Sequence, residues 1–267
     1  MATRSLTLSR LLLAAVVVVL AVPALRAQDA FEIQVYEYEL VPKRMWNLET
    51  HLNYTARGTK VYEGSVAPSQ KQFHLTYELT RGITEAFELA AYLVLGARPD
   101  GPGPLEYAGW RIRPRVAIPK SWSLPLDVSI SGEVGFPRRI YEENSTTLEI
   151  RPILEKKWGR WQLDGNPVLA RALRGPGTKE GWEFEPAARI AYEATKKLDL
   201  SLEYYGATGP FSDPLPRDQQ THQFYPGGDF KLSEKIVWNF GIGVGATHTG
   251  NRLVYKSRIG MLFGHSN

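Results

Sequence analysis

With 267 residues, 43% of them apolar, the chain can build one domain with a sizeable interior. Three of the four units of formal charge reside at the N-terminus: Arg4, Arg10 and Arg26 meet no acid before residue 28, which leaves 29 basic against 28 acidic residues, a near-neutral balance with no basic patch for nucleic acid. The absence of cysteine excludes disulfides, thiolate metal centres and a lipidated N-terminal Cys.

The first element is a leader. Arg4 and Arg10 precede an apolar run from Leu11 to Val22, closed by Pro23 and the small Ala27. This predicts a secretory signal peptide over 1–27; the run is short of the roughly 20 residues a spanning helix needs. Residues 28–44 follow as a separate N-terminal segment, in which Phe31-Glu-Ile-Gln-Val-Tyr-Glu-Tyr38 alternates in polarity. It reads equally as a periplasmic strand, an extra barrel strand or a plug across a lumen.

From 45 to 267 one pattern repeats about a dozen times: alternating apolar and polar side chains, then a break. In the clearest copy Trp110, Ile112, Val116 and Ile118 alternate with Arg111, Arg113, Arg115 and Ala117. Period-2 alternation predicts strands with one apolar and one polar face. Predicted strands run over 45–55, 70–81, 86–96, 107–118, 124–136, 146–156, 161–171, 182–194, 198–206, 220–232, 236–247 and 252–263. Such lengths match the roughly 9–11 residues that cross a bilayer. The connections alternate short and long, with 248–251 the exception, as turns and loops do at the two ends of a transmembrane barrel. Long loops are rich in Gly and Pro, as in 98–104 and 209–216, whereas Pro114, Pro152 and Pro186 inside strands demand bulges or strand-end positions. Trp46, Tyr54, Tyr107, Trp161, Trp182 and Trp238 fall near strand ends, where aromatic girdles sit. The fold class is therefore all-β, a transmembrane antiparallel barrel of about 12 strands, its apolar face towards lipid.

The polar face then lines the lumen. It carries Glu49, His51, His74, Glu78, Glu88, Arg111, Arg113, Arg115, Asp127, Glu149, Arg151, Glu185 and Arg189. Tight registers across the connections put His51 opposite His74, Glu88 opposite Arg115, Arg115 opposite Asp127, and Arg151 opposite Asn166. Unpaired charge in a narrow lumen is costly, so the arginines are expected to pair with acids whether or not they also steer a solute. Gly241, Gly243 and Gly245 share one face and leave room for Lys256 and Arg258. No strand couples one of the five histidines to a nucleophile, so no catalytic residue is expected. His51 and His74 with Glu49 or Glu78 lack ligand spacing within one strand, so neither metal nor other cofactor is assigned.

Phe31-Glu-Ile-Gln-Val-Tyr36, Trp46-Asn-Leu-Glu-Thr-His-Leu-Asn53, Glu149-Ile-Arg-Pro-Ile153, Phe184-Glu-Pro-Ala-Ala-Arg-Ile-Ala-Tyr192 and Gln220-Thr-His-Gln223 resemble an outer-membrane family associated with the meta-cleavage pathway of phenol degradation. The resemblance implies a transporter barrel and supplies no active-site residues; the family's name is the reason to consider aromatic solutes. The function expected is a narrow outer-membrane channel for small, hydrophobic or aromatic solutes. Its partners are outer-membrane lipid and, during biogenesis, the barrel-assembly machinery; nucleic acid is not among them. A structural or binding barrel without transport is the alternative, and a lipid-modifying enzyme stands behind that.

Overall fold

The computed structural model describes residues 29–265, so the expected signal peptide lies outside the described residues. Its strands are β1 (Met45–Arg57), β2 (Gln72–Gly82), β3 (Phe87–Ala97), β4 (Glu106–Ala117), β5 (Asp127–Pro137), β6 (Thr146–Trp158), β7 (Trp161–Arg174), β8 (Glu183–Thr195), β9 (Leu198–Ala207), β10 (Thr221–Ser233), β11 (Ile236–Gly245) and β12 (Leu253–Gly264). Each pairs antiparallel with its chain neighbours, and β1 pairs with β12 from Met45↔Gly264 to Arg57↔Leu253. That last ladder closes the barrel and removes every sheet edge.

The polarity of the wall is inverted relative to a soluble barrel. Along β2 the buried positions are Gln72, His74, Thr76, Glu78 and Thr80, while Phe73, Tyr77 and Leu79 are exposed. On β4, Arg113 and Arg115 are buried and Trp110, Ile112 and Val116 are exposed. A continuous apolar belt of this kind is far larger than the few hundred Å² a soluble monomer exposes, and lipid is the solvent that accommodates it. Trp46, Trp161 and Trp238 lie at strand ends beside the short turns, and Tyr54, Tyr107 and Trp182 lie at the long-loop end. Cross-strand rings tie neighbours together on this outer face: Tyr54 and Phe73 have centroids 4.5 Å apart, and Trp161 and Tyr192 4.8 Å.

The strand prolines correct an expectation in part. No register shift occurs at Pro114 or Pro152, which lie within strands. Pro186 meets the expectation: it sits near the start of β8, just before the first β8–β9 pair Ala187↔Tyr205, and the bridge beyond it, Glu183↔Pro210, lies one residue out of that register. All three keep their pairing on one side (Leu89↔Pro114, Ile130↔Pro152, Pro167↔Pro186) and lack it on the other. Neighbouring amides on a strand alternate sides, so a missing N–H damages one ladder and spares the other. On the β6–β7 seam Pro152 and Pro167 fall opposite one another, between the pairs Ile150↔Leu169 and Leu154↔Gly165, and neither supplies a donor.

Candidate functional site

The lumen is not empty. Residues 29–44 form no strand; they run down the barrel axis towards the short-turn end, where the Met45 amide donates to Pro42 O at 2.9 Å and β1 begins. Buried backbone groups must be satisfied, and here side chains of the wall do what a ladder would do. Asn166 accepts from the Tyr36 amide at 2.7 Å and donates to the Tyr36 carbonyl at 3.0 Å, mimicking a neighbouring strand. Glu155 accepts from the Tyr38 amide at 3.0 Å and Glu88 from the Val41 amide at 2.7 Å. Asn53 donates to Ala30 O at 2.9 Å, Arg151 to Gln34 O at 3.3 Å, and Arg115 to Glu37 O. The alternation of 31–38 has a use other than strand formation. Ile33 and Val35 pack on Ala187, Tyr205, Tyr225 and Val254, and burying two such side chains stabilises by about 1.5–3 kcal/mol each. Glu32 and Tyr36 turn the other way, towards the arginines.

Those arginines form a ladder on β4. Arg111 bonds Asp29 and reaches Glu32 at 3.3 Å and Glu133 at 3.2 Å. Arg113 reaches Glu78 at 2.5 Å, Glu88 at 3.1 Å and the Tyr92 hydroxyl at 2.7 Å. Arg115 lies 3.6 Å from Glu88 and donates to Ser129 Oγ at 3.3 Å. The Tyr36 ring sits between three guanidiniums, with Cζ atoms of Arg113, Arg115 and Arg151 at 4.8, 5.6 and 4.5 Å from its centroid. Desolvated cation–π contacts of this kind contribute up to about 2 kcal/mol each. Its hydroxyl bonds Glu32 and lies 2.9 Å from that of Tyr92.

Across the lumen Arg189 reaches Asp229 at 2.5 Å, Asp164 at 3.2 Å and Glu37 at 3.3 Å. Lys256 reaches Glu203 at 2.5 Å, and Arg258 reaches Glu49 at 2.7 Å. With its amide oriented to satisfy both neighbours, Gln34 donates to Glu49 Oε2 at 3.2 Å and accepts from Arg258 at 2.7 Å. The segment is thus held on both sides by charge-assisted hydrogen bonds, the strongest class available.

Above the segment the long loops enclose a cavity of about 850 Å³. Phe31, His74 and Tyr141 are among its lining residues; the Phe31 ring meets those of His74 and Tyr141 edge-on at 4.7 and 5.2 Å. The wall carries Glu63, Glu142, Glu143, Glu180, Glu183 and Glu185 against Arg171 and Arg252, so the vestibule is acidic. Burial, reinforced by the hydrogen bond it donates to Glu106 at 2.8 Å, holds the Tyr141 phenol well above its ordinary value and keeps it protonated. At the rim the Tyr62 hydroxyl donates to Asp100 at 2.6 Å and Arg98 lies 3.3 Å away; the first contact and then the second hold the Asp100 carboxyl below its usual range.

The polar-face residues singled out in the sequence distribute as follows. Glu49, His51, Glu78, Glu88, Arg113, Arg115 and Arg189 are buried against the lumen segment or each other. Glu149 and Arg151 pair at 2.7 Å, and Glu185 lines the vestibule. His74 lies 2.9 Å from Gln72 Oε1. Asp127 sits at the short-turn rim, paired with the exposed Lys120 at 3.4 Å, away from the ladder.

Glu88 does face Arg115, but three expected registers are corrected. His51 faces Thr76 while His74 faces Asn53; Arg115 faces Ser131 while Asp127 faces Glu155; and Arg151 lies two residues out of register with Asn166. Each slip is an even number of residues, which changes partners and preserves faces. Gly243 makes room for Tyr225 rather than for Arg258, since a Cβ there would lie 2.3 Å from the Tyr225 ring, whereas Gly241 does abut Lys256. Sequence reasoning missed Asp29, Glu32, Tyr36 and Glu37 as site residues. For Glu32 and Tyr36 the signal was the polar half of the alternating stretch 31–38; Asp29 precedes that stretch and Glu37 falls on its apolar parity, so neither carried that signal.

No family model matches the chain, and no curated protein matches it. Solved structures do. The COG4313 outer membrane channel from Pseudomonas putida F1 aligns over 87% of this chain and 100% of its own, with 10% identity and a TM-score of 0.57. The KdgM porin aligns over 82% of this chain and 99% of its own, with 7% identity and a TM-score of 0.50. At such identities the likeness is one of fold: the chain has the architecture of outer-membrane barrels.

Proposed function

We propose that this chain is an outer-membrane channel for small solutes, exported through its leader, inserted by the barrel-assembly machinery, and narrowed by residues 29–44. The observation that supports this best is the combination of a lipid-facing wall with a polar interior that opens into an acidic cavity of about 850 Å³. About twelve strands enclose more space than the side-chain-filled eight-stranded case and less than a 16–18-stranded porin. The segment and the arginine ladder take up much of that space. The excess of acidic side chains over Arg171 and Arg252 on the vestibule wall favours neutral and cationic solutes over polyanions. Aromatic solutes, which the resemblance to the meta-pathway barrels brings into view, would meet Phe31 and Tyr141, whose rings already stack edge-on.

A barrel permanently filled by its own N-terminal segment is the second reading, favoured by the many hydrogen bonds that hold that segment. Liposome swelling distinguishes the two. The channel reading predicts entry of small neutral and cationic solutes, aromatic ones included, ahead of anions of equal size. Impermeability to all of them moves the assignment to a structural or binding barrel, and lipid turnover in the same vesicles moves it to an enzyme.

A further inference from the structure

We propose that Glu49, His51 and Glu78 form a binding site for one divalent transition-metal ion in the barrel wall. Glu49 and Glu78 are cross-strand partners on β1 and β2, and His51 lies two residues along β1 on the same face. One ligand atom from each falls within 4.8 Å of the others. His51 Nε2 is 3.5 Å from Glu49 Oε2 and 3.7 Å from Glu78 Oε2. A tetrahedral ion bound at about 2.1 Å by imidazole nitrogen and carboxylate oxygen separates its ligands by about 3.4 Å. Both observed separations fit that spacing.

The second observation is unmet hydrogen-bonding capacity. His51 is 1% and Glu78 2% exposed, yet His51 Nε2 and Glu78 Oε2 make no hydrogen bond. Buried polar atoms are ordinarily satisfied, and an imidazolium N–H points to one acceptor rather than to two at 3.5 and 3.7 Å. The remaining oxygens are held: Glu78 Oε1 by Arg113 at 2.5 Å and Thr80 at 2.8 Å, and Glu49 Oε1 by Arg258 at 2.7 Å, while Glu49 Oε2 takes the Gln34 amide at 3.2 Å, a contact a bound ion would share or displace. Such outer partners orient ligands for a metal. With one imidazole and two carboxylates, the donor set suits Zn²⁺ and its first-row neighbours better than Ca²⁺ or Mg²⁺. The inference does not depend on whether the barrel transports anything.

The test uses the full mature chain without a histidine tag, refolded in detergent, stripped with chelator, and titrated with Zn²⁺ and Co²⁺. One ion per chain is expected, with a Co²⁺ visible spectrum distinct from that of aqueous cobalt. His51→Asn and Glu49→Gln should each weaken binding by at least roughly tenfold, the lower bound for loss even of an outer partner. His222→Asn and His248→Asn, at residues outside the cluster, should bind as the parent does. Variants count only when their gel migration remains heat-modifiable. Absence of stoichiometric binding to the folded parent, a Co²⁺ spectrum identical to aqueous cobalt, or parent-like binding by folded His51→Asn would each overturn the site.

Discussion

Arg113 shows how one side chain on the polar face supports the lumen. It bonds Glu78, Glu88 and Tyr92 and lies over the Tyr36 ring, all with 3% of its surface exposed. Removing its charge strands two buried carboxylates. Arg113→Met is therefore expected to cost about 3–5 kcal/mol, the range for breaking a buried ion pair by deleting one partner. Urea unfolding of the refolded protein, followed by tryptophan fluorescence, measures this; a loss below about 1 kcal/mol would mean that water solvates the carboxylates as well as the guanidinium does. At this scale the sequence was legible in faces and illegible in partners. Arg113, Glu78 and Glu88 could each be assigned inward from alternation alone. That Glu49 faces Glu78, with His51 beside them, required the β1–β2 register, which a 14-residue loop (58–71) leaves open by steps of two.

At the scale of elements, the strands could be read because a lipid-facing wall imposes its period on every one of them. Ile112 and Val116 stand on the outer face of β4, and Arg at either should cost about 2–4 kcal/mol near the bilayer midplane. Equal urea stability of Ile112→Arg and the parent in lipid vesicles would contradict the assignment of that face. Residues 29–44 could not be read in this way. Their alternation is strand-like, but the faces were selected by Tyr205 and Tyr225 on one side and the arginines on the other, with Asn166 in place of a pairing strand. Asn166→Leu removes two hydrogen bonds of about 1 kcal/mol each, and should raise exchange of the Tyr36 amide by about 30-fold. Unchanged protection would mean that the segment is held by packing alone. Among the loops, Asp100 keeps its carboxyl below the ordinary range through Tyr62 and then Arg98. Its contribution is complete above the unfolded value, near pH 4, and is lost as the pH falls below it. Carbon-13 shifts of the Asp100 carboxyl should report this depressed titration, and Tyr62→Phe should move it upward.

Over the whole molecule, a closed wall of twelve strands sets a lumen of intermediate width, and the chain's own N-terminal segment fills much of it. Closure, inverted polarity and aromatic ends were all foreseeable, because each is a repeated constraint that every strand reports. The occupied lumen was one of three readings that the sequence left open, because the choice depends on one segment and on partners, among them β4, β6, β7, β8 and β12, that are distant in sequence. The central claim is that residues 29–44 determine how much this barrel conducts. The most direct test is single-channel recording in planar bilayers of the mature chain beside a chain lacking residues 28–41. Small conductance in the parent, rising several-fold on deletion with heat-modifiability retained, is the result expected. Identical conductance in the two, or none in either, would contradict the account.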